Sequence, residues 1–133
     1  MSDTRSKDEA AIRTVLAGIY QAWGNDADAF VADYTEDATA ILPGSYRRSR
    51  EEVRQSMADG FASFLKGSTT RDEIRSIRFL GEDAAVVVSE TGILFPGETQ
   101  VPADRVANAT WVLEKRDEKW LLAAYHNSPA NAG

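Results

Sequence analysis

The stretch ATWVLEKRDEKWLLAAYHNSP, residues 109–129, contains two runs with the composition of β-strands. Aromatic, aliphatic and β-branched residues make up each run, and the charged residues RDEK separate the two at a turn. Two earlier runs, RDEIRSIRFLG and EDAAVVVSETGILFPG, have the same character and end at glycine. Four long strands in sequence predict an antiparallel, curved sheet in the second half of the chain.

The first half of the chain has helical spacing instead. From Asp8 to Trp23, apolar residues recur every three or four positions, which predicts a first helix with one buried face. Gly24 and Asn25 end this helix. The following NDADAF supplies an N-cap for a short second helix, which is predicted to carry Phe30 and Tyr34.

A short strand, DATAILPG, leads to the segment SREEVRQSMADGFASFLKG. Serine followed three residues later by glutamate is typical of a helix start, and Gly67 is expected to end this third helix. Its buried face is predicted to contain Val53, Met57, Phe61, Phe64 and Leu65. Helices in the first half and strands in the second predict an α+β fold, with three N-terminal helices covering one face of the sheet.

Length and composition narrow the classes of function. The 133 residues suit a single domain over 1–133, with 43% apolar and 27% charged residues. A net charge of −6 disfavours nucleic acid as a partner. The start is polar and no apolar run reaches the roughly 18 residues of a membrane span, so we expect a cytoplasmic protein without a membrane partner.

Metal and cofactor chemistry have no support in the sequence. The chain has no cysteine and one histidine, and its carboxylates are scattered. No glycine-rich nucleotide-binding loop and no G-x-S-x-G motif are present. We therefore expect neither a metal site nor a cofactor.

The order of elements resembles the nuclear transport factor 2-like superfamily, in its SnoaL-like polyketide-cyclase and ketosteroid-isomerase-like branches. The segment AIRTVLAGIYQAWGNDADAFVADYTEDATAILPG, residues 11–44, is similar to the opening of those proteins. There, an apolar helix ends in tryptophan, here Trp23, and an aromatic-x-x-Asp-Ala turn, here from Tyr34, enters the first strand. The resemblance spans about Ala10 to Pro129 and implies a cone-shaped sheet with an internal cavity.

The tail is similar to one sub-branch in particular. Its proteins accompany polyketide synthases in enediyne antibiotic gene clusters, and they end in tryptophan, an Ala-Ala-aromatic step, His or Gln, and then Asn. This resemblance implies a role in antibiotic biosynthesis, with a hydrophobic polyketide or polyene-type molecule as the ligand.

A cavity of this kind would be lined by aromatic and polar side chains. The ligand-binding residues predicted from the sequence are Tyr20, Trp23, Tyr34, Tyr46, Phe61, Trp111, Tyr125 and Asn127. For each aromatic residue, a place in the core is the competing interpretation. Arg105 could reach the cavity rim and hold an anionic group, although a solvated arginine at the end of the strand is the favoured interpretation.

Two residues are candidates for acid–base catalysis. Asp37 could move a proton next to a carbonyl if it is buried, although an aspartate at this turn commonly caps backbone N–H groups. His126 is the only histidine and is the second candidate, although a hydrogen-bonding role for His126 and Asn127, which would orient a ligand or pin the strand, is the favoured interpretation. Glu90 is a third carboxylate, for which solvent exposure or pairing with an arginine is the favoured interpretation.

Strict alternation along the last strand would place His126 and Asn127 on opposite faces, so that only one lines the cavity. One face would contain Trp120, Leu122, Ala124 and His126, and the other Leu121, Ala123, Tyr125 and Asn127. Both faces are largely apolar, which favours a homodimer through the sheet.

Three hypotheses of function remain open at this point. The first is a protein that binds a small hydrophobic intermediate and assists its processing. The second is a cofactor-free isomerase or cyclase that uses His126 or Asp37, with a tyrosine or Asn127 stabilising an enolate oxygen. The third is a noncatalytic, dimeric partner protein.

Overall fold

The computed structural model describes residues 2–131, and side chains from residue 5 onward. The helices are α1 (Ser2–Gln21), α2 (Ala27–Phe30) and α3 (Arg50–Phe61), and a short 3-10 helix spans Ala103–Arg105. The strands are β1 (Tyr34–Leu42), β2 (Ser45–Arg47), β3 (Thr69–Phe79), β4 (Ala84–Leu94), β5 (Ala107–Arg116) and β6 (Lys119–Pro129). The fold is α+β, as predicted.

The six strands form one curved, unclosed sheet in the order β2-β1-β6-β5-β4-β3. The four long strands β3 to β6 are successive antiparallel neighbours, which confirms the prediction from their sequence. The prediction of a wholly antiparallel sheet is wrong at one place, because β1 pairs with β6 in parallel. A parallel pair needs a long connection, and here the chain between the two strands contains α3 and the rest of the sheet.

The helices bury their apolar faces against the sheet. Ile12 and Leu16 of α1 are almost fully buried, as the helical spacing predicts. Ser49 caps α3, since its Oγ accepts a hydrogen bond from the backbone N–H of Glu52 at 3.1 Å. Within residues 2–131, no helix is both long and apolar enough to cross a membrane.

A buried polar contact fixes α1 to the last two strands. Asp8 accepts a hydrogen bond from the indole N–H of Trp120 at 3.0 Å, and its carboxylate lies 3.2 Å from Lys115 Nζ. Both ends of this ion pair are largely shielded from solvent, so each charge depends on the other. The contact sets the position of α1 along the sheet.

Several element boundaries differ from the predictions, and one short strand is not among them. Tyr34 begins β1 rather than lying on the second helix, because its backbone aligns with Leu122 of β6. The third helix ends at Phe61, so that Phe64 lies in the following turn and is 73% exposed. Gly67 lies later in the same turn. Strand β2, which pairs with β1 across the Pro-Gly turn, was not predicted.

Candidate ligand-binding site

A cavity of about 250 Å³ lies between the helices and the inner face of the sheet. Its wall is mostly aliphatic and aromatic, and includes Ile19, Tyr20, Trp23, Phe30, Tyr34, Leu42, Val53, Met57, Leu65, Ile93, Trp111 and Tyr125. Ligand pockets commonly have volumes of about 300–1,000 Å³ and are lined in this way. The cavity therefore suits a compact, mostly apolar molecule.

Aromatic rings in the wall are held in edge-to-face contacts. The ring centroids of Tyr20 and Trp111 are 5.8 Å apart, and those of Trp111 and Tyr125 are 4.6 Å apart. The indole N–H of Trp111 donates to Ser89 Oγ at 3.0 Å, and that of Trp23 donates to Ser68 Oγ at the same distance. Since these polar atoms already have partners, the indole rings contribute apolar surface to the cavity.

A group of hydrogen-bonded side chains lies near the edge strand β3. It is formed by residues of α1, β3 and β4. The hydroxyl of Tyr20 donates to Asp72 Oδ1 at 3.0 Å and lies 3.1 Å from Thr91 Oγ1. Burial raises the pKa of Asp72, although hydrogen bonds from Ser89, Tyr20 and Thr91 lower it in part. Burial is also the main cause of the raised pKa of Tyr20. We call Tyr20, Asp72 and Thr91 the aspartate group.

An arginine lies on the opposite edge strand, β2. The half-buried Arg47 lines the cavity, and its Nη1 lies 3.2 Å from Met57 Sδ and its Nε 3.4 Å from Ser45 Oγ. Burial lowers the pKa of Arg47, while the neighbouring Tyr34 and Tyr125 raise it slightly. Among residues 5–131, no carboxylate forms an ion pair with this guanidinium.

Tyr125 on β6 lies within electrostatic range of both edges. Burial raises the pKa of Tyr125 to about 12, and the more distant Asp72 and Arg47 act on it in opposite directions. Its hydroxyl accepts a hydrogen bond from Asn127 Nδ2 at 2.9 Å, and Asn127 also lines the cavity. The cavity thus has a guanidinium in its wall on one side and, on the other, a carboxylate just behind the wall residues Tyr20 and Thr91, with the phenol of Tyr125 between them.

Arg105 lines the cavity too, but its charge is already matched. Its guanidinium pairs with Glu98, donates to the carbonyl of Ile93 at 3.1 Å and lies over the ring of Phe95 at 4.8 Å. Arg105 lies in the cavity wall, rather than being the solvated strand-end arginine that the sequence favours, and its main contacts are within the protein. In the described part of the chain, no group of three or more histidine or acidic side chains is placed to hold a metal ion.

Sequence comparison identifies the family to which this geometry belongs. The family model of the SnoaL-like domain matches residues 12–132. The chain belongs to the SnoaL-like domain family. This family lies within the superfamily that the sequence resembles, and the match covers the elements that form the cavity. No curated protein sequence is significantly similar to this SnoaL-like domain.

Solved structures show the same fold. A Nostoc punctiforme domain of unknown function with a cystatin-like fold is 26% identical, with a TM-score of 0.87 over 95% of this chain and 79% of that one. A ketosteroid isomerase-like protein from Erwinia carotovora atroseptica is 21% identical, with a TM-score of 0.70 over 92% and 96%. A candidate scytalone dehydratase from Novosphingobium aromaticivorans is 17% identical, with a TM-score of 0.73 over 100% and 94%. The last two show the fold alone.

Most of the ligand-binding residues predicted from the sequence lie in the cavity wall of the SnoaL-like domain. They are Tyr20, Trp23, Tyr34, Trp111, Tyr125 and Asn127. Two others do not line it: Tyr46 is 62% exposed on β2, and Phe61 packs behind the wall against Trp23 and Phe30. Side chains alternate along β2, so Tyr46 points outward because its neighbour Arg47 points inward.

The two residues predicted as acid–base groups do not come together in the cavity. His126 is exposed, and the side chain of Asp37 is 83% exposed with Arg116 at 4.0 Å. Glu90 pairs with Arg75 at 3.3 Å, in agreement with the favoured interpretation. Neither His126 nor Asp37 is placed to move a proton on a molecule bound in the cavity.

A β-bulge decides which residues of β6 face inward. Val112 pairs with Ala124 and Leu113 with Leu122, so Ala123 has no partner on β5. This extra residue shifts the alternation, and Trp120, Leu122, Tyr125 and Asn127 all lie on the inner side. The predicted split of β6 into two apolar faces was therefore wrong. Asn127 therefore lies in the cavity wall, and the exposed His126 points to the other side of the sheet.

Asp72 and Arg47 are not among the site residues that the sequence predicts. Asp72 lies between Thr70 and Ile74 on the half-buried face of β3, so alternation would have placed it inward. No such signal existed for Arg47, because β2 has only three residues and was not recognised as a strand.

Proposed function

We propose that this SnoaL-like domain binds a compact, mostly apolar small molecule and assists its processing, as a protein of polyketide antibiotic biosynthesis of the enediyne type. The observation that carries the proposal is the aromatic-lined cavity of about 250 Å³. The tail from Ala109 to Pro129 supports the biosynthetic setting through its resemblance to enediyne-cluster proteins. A polyene or aromatic polyketide offers the flat apolar surface that such a wall can contact.

The binding proposal is tested with 1,6-diphenylhexatriene, a neutral conjugated polyene. We expect it to quench tryptophan fluorescence on binding, because Trp23 and Trp111 both line the cavity. Ala107→Leu should fill part of the cavity and weaken binding about tenfold. Asn108→Leu is the matched control, since the exposed Asn108 lies on the outer face of the same strand. Equal affinities for both variants and the wild type would argue against binding in the cavity.

The aspartate group favours a second candidate function, a cofactor-free isomerase or cyclase. Asp72 is half-buried, its pKa is raised, and no cation of the described residues pairs with it. Tyr20 and Thr91 line the cavity and Asp72 lies behind them. In this proposal the phenol of Tyr20 protonates the carbonyl oxygen of the ligand while solvent water takes a proton from the neighbouring carbon, and Asp72 returns a proton to the phenol. The reverse sequence adds a solvent proton to the carbon and restores the carbonyl. These residues replace His126 and Asp37 as the acid–base groups.

The acid–base proposal is tested by hydrogen exchange in D₂O. We expect the protein to accelerate deuterium incorporation next to the carbonyl of 2-tetralone, followed by NMR. Tyr20→Phe should reduce this acceleration by about 100-fold, because it removes the hydroxyl that contacts the substrate. His126→Ala and Asp37→Asn should retain it, since both side chains are exposed outside the cavity. Loss of exchange in either of these two variants would contradict the assignment.

We also propose a homodimer through the outer face of the sheet. Val86, Val88 and Val112 lie on the side opposite the cavity residue Trp111, and Val86 is not part of the main core. An apolar strip on an outer sheet face is typical of a two-fold contact. Light scattering should give twice the chain mass of 14.6 kDa, and Val112→Arg should reduce it to the monomer value. A wild-type protein with the monomer mass would contradict this proposal.

A further inference from the structure

Arg47 is a positive charge in a wall that is otherwise mostly apolar. We propose that Arg47 binds an anionic group of the ligand, so that the cavity selects apolar molecules with a carboxylate or an equally acidic group over their neutral analogues. The inference rests on the proposed binding function and narrows the class of ligand.

The contacts of Arg47 leave most of its donors available. A guanidinium carries five N–H donors in a planar fork. The described residues provide two acceptors, a thioether at 3.2 Å from Nη1 and a hydroxyl at 3.4 Å from Nε. The thioether of Met57 is a weak acceptor, and the 3.4 Å distance from Nε to the hydroxyl of Ser45 is long for a hydrogen bond. Neither contact therefore satisfies the guanidinium well. A carboxylate can accept two parallel N–H bonds from such a fork.

The surroundings of Arg47 do not neutralise its charge. The phenols nearest to it in electrostatic effect are Tyr34 and Tyr125, and burial raises the pKa of both, so they are neutral at pH 7. Burial also disfavours the charged guanidinium, which lowers its pKa. A bound anion would offset this cost of burial, whereas a neutral ligand would not.

Neighbouring arginines show that the arrangement at Arg47 is unusual within this chain. Arg48, the next residue, is 70% exposed and pairs with Glu52 at 3.1 Å. Arg105 also lines the cavity, but it pairs with Glu98. Arg47 combines a place in the cavity wall with the absence of a carboxylate partner among the described residues, and this combination indicates a ligand anion as the partner.

The test compares 2-naphthoate with 2-naphthamide, which have nearly the same shape and differ in charge. We expect the wild-type protein to bind naphthoate roughly tenfold more tightly or better, since a hydrogen bond to a charged group is worth about 1.5–3 kcal/mol. Arg47→Gln should remove this preference while naphthamide affinity changes little. Arg47→Lys should keep only part of it, because the charge remains and the fork is lost. Affinities are measured by titration calorimetry at low salt.

Arg48→Gln is the matched control, because it removes the same charge one residue away on the exposed side. It should retain the preference for naphthoate. If the wild type binds both probes equally, or if Arg47→Gln keeps the preference, the inference is wrong, although binding of naphthamide would still support the proposed function. Failure of both probes and of diphenylhexatriene to bind would instead count against the binding function itself. The two affinities of the wild-type protein, for naphthoate and for naphthamide, test the inference even if Arg47→Gln does not fold.

Discussion

The two edges of the sheet place an acidic and a basic group near the cavity, in different surroundings. On β3, Asp72 is surrounded by hydroxyl groups, with the Tyr20 donor at 3.0 Å. On β2, Arg47 has only a thioether and one distant hydroxyl as polar partners among the described residues. The carboxylate is therefore satisfied within the protein, whereas the guanidinium has donors to spare.

This difference assigns different roles to the two edges. A carboxyl group held by internal hydrogen bonds and with a raised pKa is suited to proton transfer through a neighbouring hydroxyl. An arginine with unused donors is suited to binding an anion. Since Asp72 lies behind Tyr20 and Arg47 lines the wall directly, only the arginine is placed to contact a ligand itself.

The largest effect is expected from a substitution at Asp72, which tests its proposed role in proton transfer. Asp72→Asn should lower the rate of 2-tetralone deuterium exchange by about 100-fold, because the amide cannot take up the proton. Glu73→Gln provides a control on the same strand, where the side chain is 70% exposed and pairs with Arg75. If Asp72→Asn exchanged the substrate at the wild-type rate, the aspartate group would have no part in proton transfer.

The next largest effect is expected in the free energy of unfolding. It compares Arg47, which has no carboxylate partner among the described residues, with Arg105, which pairs with Glu98. Arg47→Met should stabilise the fold by about 1 kcal/mol, since it replaces a half-buried charge with an apolar side chain of similar length. Arg105→Met should instead destabilise it, because Glu98 loses its partner. Urea denaturation measures both. Destabilisation of similar size in both variants would show that Arg47 is satisfied within the protein.

A smaller effect is expected in the pH dependence of stability. Burial raises the pKa of Asp72 above its ordinary value of 3.8, so the folded protein binds this proton more tightly than the unfolded chain. Its contribution to stability is present below pH 3.8 and is lost as the pH rises through the folded pKa. The free energy of unfolding of the wild type should therefore fall relative to Asp72→Asn from about pH 4 upward. A difference that stays constant with pH would contradict the raised pKa.

The smallest effect is expected at His126, the only histidine of the chain. His126→Gln should change stability by less than about 0.5 kcal/mol and leave diphenylhexatriene binding unchanged, because the side chain is exposed. Asn127→Ala, one residue further on the inner side, should weaken binding measurably, since it lines the cavity and donates to Tyr125. The reverse order of effects would contradict the inward position of Asn127 and the outward position of His126.

Much of the fold could be predicted because its signals are local. The apolar repeat of α1, the Ser49 cap of α3 and the four long strands follow from side-chain spacing and cap chemistry within a few residues. The aromatic residues of the wall were found for the same reason, as large apolar side chains at buried positions of these elements. Their edge-to-face contacts required the assembled structure.

The polar residues of the site could be predicted only in part, because their positions depend on contacts between distant parts of the chain. Alternation fails on β6 since an unpaired Ala123 shifts the side chains beyond it, and this shift turns His126 outward and Asn127 inward. Arg47 enters the cavity only because β2 pairs with β1 and β1 pairs with β6.

The sequence by itself determined the α+β order of elements, the apolar character of the wall and the superfamily. The tertiary structure alone decided which ionisable groups meet the cavity: Tyr20, with Asp72 hydrogen-bonded behind it, and Arg47 do so, whereas His126 and Asp37 are exposed outside it. The physical reason is that secondary structure follows from the period of side chains along the chain, whereas the environment of a charge depends on burial and on partners brought together by strand pairing.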